Sequence, residues 1–379
     1  MANKSVLFIL PWLAVGGLER MQVTLANALS RKGYSVTVMT LNPEDALRNE
    51  LNKNVEFIYI PPKSHIGNHI PYIRHKFYDD GMWETRATPK QLYQYYVGNR
   101  KFDVEIGFFR GLSVKIISGS TNPDSVKLAW VHNDFHKCGG YDYNFRDLRQ
   151  VKTAYSKYNK IVCVSEQARK SFNEVIGLNE KTMTVYNMLP VDEIRRKANE
   201  ECIVTKKAFT VLSVGHIIHM KGYDRLIKVF EQLKVSGYAF DLWIVGEGSE
   251  REKLQKYIND HHLTDVKLLG QQSNPYCFMK QADLYVCSSR FEGYNLTVAE
   301  ALICGCPVLS TECTGPTEIL DEGRYGILVE NNEKGLYNGM KSVLDNPRLL
   351  SEYRRKAQER LDFFNEDRIM NQIEMLFSE

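Results

Sequence analysis

Ser5-Val-Leu-Phe-Ile-Leu10 followed by Pro11-Trp-Leu-Ala-Val-Gly16-Gly17 opens the chain with an apolar run and a glycine turn. An amphipathic segment then runs from Leu18 to Lys32, Gly33 closes it, and a second apolar run covers Ser35–Leu41. Short uninterrupted apolar runs suit strands buried on both faces, and glycine just past a helical segment tolerates the left-handed turn that ends a helix. The stretch therefore reads strand, loop, helix, strand. Further runs follow at Val55–Ile60, Val104–Gly107, Lys127–Val131, Ile161–Val164 and Thr182–Tyr186, most of them separated by helix-length segments. That spacing predicts a parallel sheet with crossover helices. A polar segment, Val191–Lys207, interrupts it, and the alternation restarts at Phe209–Val214. It continues through a helical Tyr223–Val235, Phe240–Val245, a helical Ser249–Asp260, Val266–Leu269, Leu284–Cys287, a helical Thr297–Cys304, Pro307–Ser310 and Gly326–Val329. The expected fold is α/β: two doubly wound domains, with a ligand in the cleft outside the carboxyl ends of the strands. Asn346–Glu379 is helical in pattern and is expected to cross back onto the first domain, while Pro61–Thr88 lacks periodicity and reads as a long excursion.

Bulk properties agree with two domains, because single cores stop growing at roughly 250–300 residues and this chain has 379. No apolar run approaches the roughly 18 residues that span a bilayer, and the N-terminal run is too short for a secretory leader. The eight cysteines are scattered, with Cys163 and Cys287 inside predicted strands, which fits a reducing cytosol rather than a disulfide framework. Cys304-Gly-Cys306 lacks a second ligand pair at zinc spacing and reads as packing around a turn. The net charge of +3 hides an asymmetry: residues 1–200 hold 28 Lys and Arg against 20 Asp and Glu (+8), the remainder 21 against 26 (−5). A basic first half suits an anionic partner. Arg146, Arg149, Lys152, Lys157 and Lys160, interleaved with Tyr155 and Tyr158, offer a basic and aromatic face to anionic headgroups, with an ordinary solvated helix as the alternative. Nothing in the pattern points to nucleic acid.

Chemistry concentrates in the strand-to-helix loops. Glu292-Gly-Tyr-Asn-Leu-Thr-Val-Ala-Glu300 sets two carboxylates eight residues apart across a glycine turn that opens a helix. Carboxylates accept hydrogen bonds from sugar hydroxyls, and a helix N-terminus offers free N–H groups to phosphate. A plainer reading stands beside it, in which Thr297 and Glu300 form a capping box. Gly16-Gly17-Leu-Glu19 lets backbone approach a phosphate closely, although no third glycine completes a dinucleotide fingerprint. Gly215-His216-Ile-Ile-His219-Met-Lys221-Gly222 fills the equivalent loop of the second half, and Lys221 at the mouth of a helix can neutralise a diphosphate. His216-x-x-His219 finds no third ligand, and Phe135 and a loop context argue against His132-x-x-x-His136, so no metal site is expected. Val245-Gly-Glu-Gly-Ser249 reads as a tight turn with Ser249 as helix cap, and Leu269–Pro275 as a polar turn suited to a nucleobase edge. His132 leaves the end of the Lys127–Val131 run, a position where doubly wound sheets put chemistry.

Together these residues resemble the retaining glycosyltransferases of family four, bacterial surface-polysaccharide type, over nearly the whole chain. The Glu292-x7-Glu300 element carries most of the resemblance, with Gly16-Gly17-x-Glu19, Lys221-Gly222 and Trp130-Val-His-Asn-Asp134 in order. The resemblance implies the GT-B fold, two Rossmann-like domains with an inter-domain cleft. Residues 1–195 would bind the acceptor and 205–358 the nucleotide sugar, with residues 359–379 a helix returning to the first domain. It implies that Glu300 binds the ribose of a UDP-sugar, that Glu292 faces the donor sugar, and that Lys221 sits on the diphosphate. Gly16, Gly17, Gly293, Tyr294, Asn295 and Leu296 would hold phosphate and sugar hydroxyls, and His132 would lie near the anomeric carbon. Where the family commonly has arginine, this chain has His216, so more of the charge falls to Lys221, with Arg290 as a second cation. The implied reaction is metal-independent and uses no cofactor beyond the UDP-sugar itself. It moves a hexose or N-acetylhexosamine to a polyprenyl-diphosphate-linked or other surface-glycan acceptor, at the cytoplasmic face of the plasma membrane with peripheral attachment. A sugar-nucleotide epimerase and a non-catalytic sugar-nucleotide-binding subunit are the alternatives.

Overall fold

The computed structural model describes residues 4–61, 83–136 and 144–378. The chain divides into two compact units, Met1–Met188 with Asp367–Glu379, and Leu189–Glu366.

The first unit is built on seven strands: β1 (Ser5–Leu10), β2 (Ser35–Thr40), β3 (Glu56–Tyr59), β4 (Val104–Gly107), β5 (Val126–Val131), β6 (Lys160–Cys163) and β7 (Thr182–Thr184). They lie in the order β3-β2-β1-β4-β5-β6-β7, and every neighbouring pair is parallel. The second unit has six: β8 (Thr210–Val214), β9 (Asp241–Val245), β10 (Val266–Leu268), β11 (Leu284–Cys287), β12 (Val308–Thr311) and β13 (Ile327–Val329). Their order is β10-β9-β8-β11-β12-β13, again parallel throughout. Both sheets reverse direction beside their first strand, between β1 and β4 and between β8 and β11. Such switch points open a crevice at the carboxyl ends of the strands.

The central strands are mostly apolar because helices cover both faces. Phe8, Ile106 and Trp130 in the first sheet and Trp243 and Val286 in the second are almost wholly buried. Each such side chain stabilises its unit by roughly 1.5–3 kcal/mol. In the first unit the helix Glu366–Leu376 belongs to the same body as the opening strands: Ile369, Met370, Ile373 and Leu376 are buried. Lys32 pairs with Glu374 at 2.7 Å, and the Tyr34 ring meets Phe377 edge-on at 5.5 Å.

Several local expectations are corrected. The polar stretch from Val191 begins with a helix, Val191–Ala198, that buries Ile194 and Ala198. Asp192 and Glu193 in its first turn and Arg195, Arg196 and Lys197 in its last complement the helix dipole. Ser249 is not a cap; the helix Arg251–Asp260 starts after Glu250, with no side-chain bond at that end. Tyr155 and Tyr158 point into the core, with Tyr158 donating to the Val114 carbonyl at 2.7 Å, so the segment shows water its cations and not its aromatic rings. Among the described residues no helix is long and apolar enough to cross a membrane. Cys202 and Cys277 form a disulfide, their Cα atoms 5.6 Å apart across 75 residues of sequence, a proximity that linear spacing does not reveal. In a reducing compartment this pair would be held as thiols. Most of the Pro61–Thr88 excursion, residues 62–82, lies outside the described residues. Its end is ordered by a capping box in which Thr88 and Gln91 start the helix Pro89–Tyr96.

Candidate functional site

In the second unit the loops after β8 and β11 leave adjacent strands and are stitched together. Gly222 adopts a left-handed conformation (φ 68°), and a Cβ there would lie 2.2 Å from the Ser288 carbonyl oxygen. Only glycine allows this approach without shifting backbone. Ser288 Oγ donates to the Lys221 carbonyl at 2.9 Å, and the buried Arg225 guanidinium binds the carbonyls of Ser288 and Ser289. The contact brings Lys221 Nζ to 2.7 Å from Glu292 Oε1, with both side chains largely buried. Ser289 Oγ donates to the same carboxylate oxygen. Burial by itself lowers the Lys221 pKa, but the Glu292 carboxylate outweighs it and leaves the ammonium above its ordinary value. Arg290 is committed elsewhere: its guanidinium grips Asp224 through both oxygens, at 2.8 and 2.7 Å, and donates to the His219 carbonyl. The charge of Arg290 is thus already compensated.

The helix Leu296–Ile303 opens on Asn295, not Thr297. Asn295 is left-handed (φ 68°) and its side chain accepts from the Val298 amide at 3.3 Å. The capping-box reading is therefore overturned. The Thr297 hydroxyl donates to Asn295 Oδ1 and accepts from Tyr285, while Glu300 Oε1 accepts from the Tyr276 hydroxyl at 3.1 Å. Tyr276 starts a short helix directly after the Leu269–Pro275 turn, so that turn and Glu300 share one neighbourhood. Gly293, Tyr294, Asn295 and Leu296 form the turn between the two glutamates. Across the sheet the loop after β9 packs on the loop after β8: a Cβ on Gly246 would meet the Gly215 carbonyl at 2.0 Å. His216, in that loop, is exposed. His219, Asp224 and Glu250 offer ligand atoms within 4.8 Å of one another, but Asp224 is the carboxylate held by Arg290.

In the first unit Gly16 and Gly17 open the helix Gly17–Arg31, which has no side-chain cap. Glu19 folds back over Gly16, where a Cβ would lie 2.2 Å from Glu19 Oε2, and Glu19 Oε1 accepts from Trp12 Nε1 at 2.9 Å. His132 follows β5 and reaches the loop after β4, with Nε2 2.8 Å from the Phe108 carbonyl and the rings of Phe108 and Phe109 alongside. A carbonyl only accepts, so Nε2 carries the hydrogen and Nδ1 keeps a lone pair. That Nδ1 is buried and has no hydrogen-bond partner. Burial depresses the His132 pKa to about 4, only partly offset by the bond to Phe108, so the imidazole is neutral near pH 7. His136 takes no part, being bound to Glu174 at 2.6 Å.

Lys221 and Glu292 are therefore in direct contact, and Glu292 and Glu300 flank one turn. Gly16, Gly17 and His132 occupy loops of the other unit. Tyr276, Ser289 and Arg225 escaped sequence reasoning. Tyr276 follows a recognisable Asn-Pro turn, but its reach to Glu300 has no local signature.

Residues 15–193 match the family described as Glycosyltransferase Family 4, and residues 195–360 match Glycosyl transferases group 1. An uncharacterized glycosyltransferase of Haemophilus influenzae is 26% identical over 360 residues, 92% of each chain. The Campylobacter jejuni N-acetylgalactosamine-N,N'-diacetylbacillosaminyl-diphospho-undecaprenol 4-alpha-N-acetylgalactosaminyltransferase is 33% identical over 193 residues, 50% of this chain and 52% of that protein. Among solved structures, Anabaena HepE in complex with UDP and glucose superposes with a TM-score of 0.74 at 17% identity, covering 99% of both chains. At that identity the likeness establishes the fold.

Proposed function

The chain belongs to the family-four glycosyltransferases, a family of retaining hexosyltransferases with the GT-B fold, and we propose that it transfers a hexose or N-acetylhexosamine from a UDP-sugar. The acceptor in this reading is a polyprenyl-diphosphate-linked or other surface glycan at the cytoplasmic face of a membrane. The observation that carries the reading is the contact between Lys221 and Glu292 at the switch point of the second sheet. A cation and a carboxylate from adjacent loops suit the two ends of a nucleotide sugar, diphosphate and sugar hydroxyls. Glu300, beside the Leu269–Pro275 turn, suits the ribose; the backbone of residues 293–296 and of Gly16–Gly17 suits phosphate and hydroxyls. The UDP donor agrees with the ligand of the Anabaena neighbour, and the lipid-linked acceptor with the substrate named for the Campylobacter relative.

In this mechanism the bond between the anomeric carbon and the β-phosphate oxygen breaks, and UDP leaves with both electrons. The Lys221 ammonium and the N-terminus of the helix Leu296–Ile303 stabilise the charge that develops, without a metal. The acceptor hydroxyl attacks from the face the phosphate departs from and passes its proton to the leaving phosphate oxygen. His132, neutral and with a free lone pair on Nδ1, accepts a hydrogen bond from a donor-sugar hydroxyl near the reacting carbon. Incubating the protein with a panel of UDP-sugars and membrane-extracted acceptors tests this. Transfer is expected to persist in EDTA and to fall at least roughly hundredfold in Lys221→Ala, the scale set by losing one charged transition-state contact. Transfer abolished by EDTA refutes the metal-free step, and full activity in Lys221→Ala removes that residue from the site.

A further inference from the structure

The first unit contains a cavity of about 460 Å³ away from the loops described above, walled by the helices Pro89–Tyr96, Leu112–Ile117 and Leu148–Tyr155 and the segment Thr85–Thr88. Four cations line it, Arg86, Lys115, Arg146 and Lys157, and among the described residues no carboxylate does. Phe145 and the hydroxyls of Thr85, Thr88, Ser118 and Thr153 complete the wall.

Surface cations by themselves signify only a solvated face, and some elsewhere in this unit are paired: Arg20 with Glu50, Lys32 with Glu374, Arg100 with Glu56. Arg86, Arg146 and Lys157 are set apart by their place around one cavity. None forms an ion pair with any described residue, although all three border one concavity. Behind them Lys115 is almost wholly buried, and its ammonium is held by the carbonyls of Glu84, Thr85 and Asn144 at 2.8, 2.9 and 2.9 Å. Its three protons are therefore spent on fixing the charge at the base of the cavity. Holding a desolvated cation beneath further cations is costly unless something negative occupies the space. Burial and then the neighbouring Arg146 charge lower the Lys115 pKa to about 8, and the Glu84 carboxylate opposes them only in part.

We propose that this cavity is a binding site for a phosphate or diphosphate group, gripped by the guanidinium groups of Arg86 and Arg146 with Lys157 at the rim and Lys115 as a fixed charge beneath. Guanidinium forks match phosphate oxygens two at a time, and the Thr85 hydroxyl can donate to one left over, those of Thr88 and Thr153 being already donated to Gln91 and to the Arg149 carbonyl. Phe145 provides an apolar wall for whatever carries the phosphate. All the lining residues belong to the first unit, and the proposal does not depend on the reading given for the donor loops.

The test uses inorganic diphosphate and two vesicle preparations, phosphatidylglycerol and phosphatidylcholine, on the full chain in four forms: wild type, Arg86→Gln/Arg146→Gln, Lys157→Gln and Lys221→Ala. Calorimetry should show diphosphate binding in wild type and Lys221→Ala. It should weaken by about tenfold for each guanidinium removed, because each is a charge-assisted contact. Phenylglyoxal footprinting should show diphosphate protecting Arg86 and Arg146 but not Arg100. Binding of phosphatidylglycerol vesicles over phosphatidylcholine, lost in the double variant, identifies a lipid headgroup as the source. Diphosphate binding without vesicle binding identifies a soluble phosphate compound. Because Arg86, Arg146 and Lys157 are exposed, circular dichroism should report a native fold in every variant. Equal diphosphate affinity in wild type and the double variant, or no protection of either arginine, overturns the proposal.

Discussion

Acidifying the protein from pH 7 to about pH 4.5 should destabilise it through His132, and His132→Gln should remove that part of the response. The unfolded imidazole takes up a proton as pH falls through 6.5, whereas the folded one resists until about 4. A folded pKa depressed below the unfolded value means that the unfolded chain binds more protons in that window, so stability falls as pH falls. The gap of about 2.5 pH units is worth about 3.4 kcal/mol in full, at about 1.36 kcal/mol each, of which about 2.5 kcal/mol is lost between pH 7 and pH 4.5. The cause is geometric: Nε2 is committed to the Phe108 carbonyl, Nδ1 is buried without a hydrogen-bond partner, and no carboxylate among the described residues is bonded to the ring to stabilise imidazolium. The carboxamide introduced by His132→Gln would keep a donor for the Phe108 carbonyl without a titrating group. Urea unfolding of both proteins, followed by tryptophan fluorescence at several pH values, isolates the difference, because every other carboxylate and histidine titrates in both. The wild-type curve should drop more steeply below pH 6.5, and proton-detected NMR should put the imidazole titration near 4. Parallel curves for the two proteins, or an imidazole that titrates near 6.5, would refute the argument.

Glu300→Gln should raise the KM for the nucleotide sugar by roughly tenfold or more, the worth of a hydrogen bond to a charged group, while the melting temperature barely moves. If only the melting temperature changes, Glu300 is structural. Tyr276→Phe should weaken donor binding by a smaller factor, since it releases Glu300 without removing it; unchanged donor affinity in titration calorimetry would detach Tyr276 from the site. Gly222→Ala should cost at least about 2 kcal/mol, because the new Cβ meets a backbone carbonyl and the left-handed conformation disfavours alanine. An unaltered urea midpoint would show that the loops after β8 and β11 are not locked together.

How legible the molecule was depends on the range of the interaction. Strands β1, β4, β8 and β11 were readable because a parallel strand covered on both faces is apolar at most positions, even though Glu105 and Ser213 are buried within β4 and β8. The helix Tyr223–Val235 was readable from its periodicity and the glycine before it. Short helices such as Leu112–Ile117 and Tyr276–Gln281 were not, because one or two turns carry too few residues to show a period. The helix Val191–Ala198 was hidden by its charges, although their order along it was itself a signal. At the glutamates, the local spacing of Thr297 and Glu300 pointed to a capping box. The left-handed backbone at Asn295, whose side chain caps the helix and donates to the Cys287 sulfur, decided otherwise.

The sequence by itself determined the alternation of strand and helix, and with it the two doubly wound sheets and the loops where chemistry is expected. It did so because burial on both faces and helix termination are written in neighbouring residues. Only the tertiary structure decided that Lys221 meets Glu292, 71 positions away, and that Glu300 turns to Tyr276 rather than to its own cap. The same holds for the neutral, half-bonded His132 and for the four cations around one cavity. Each of these depends on which strands lie side by side, and strand order is settled by packing among segments far apart in the chain.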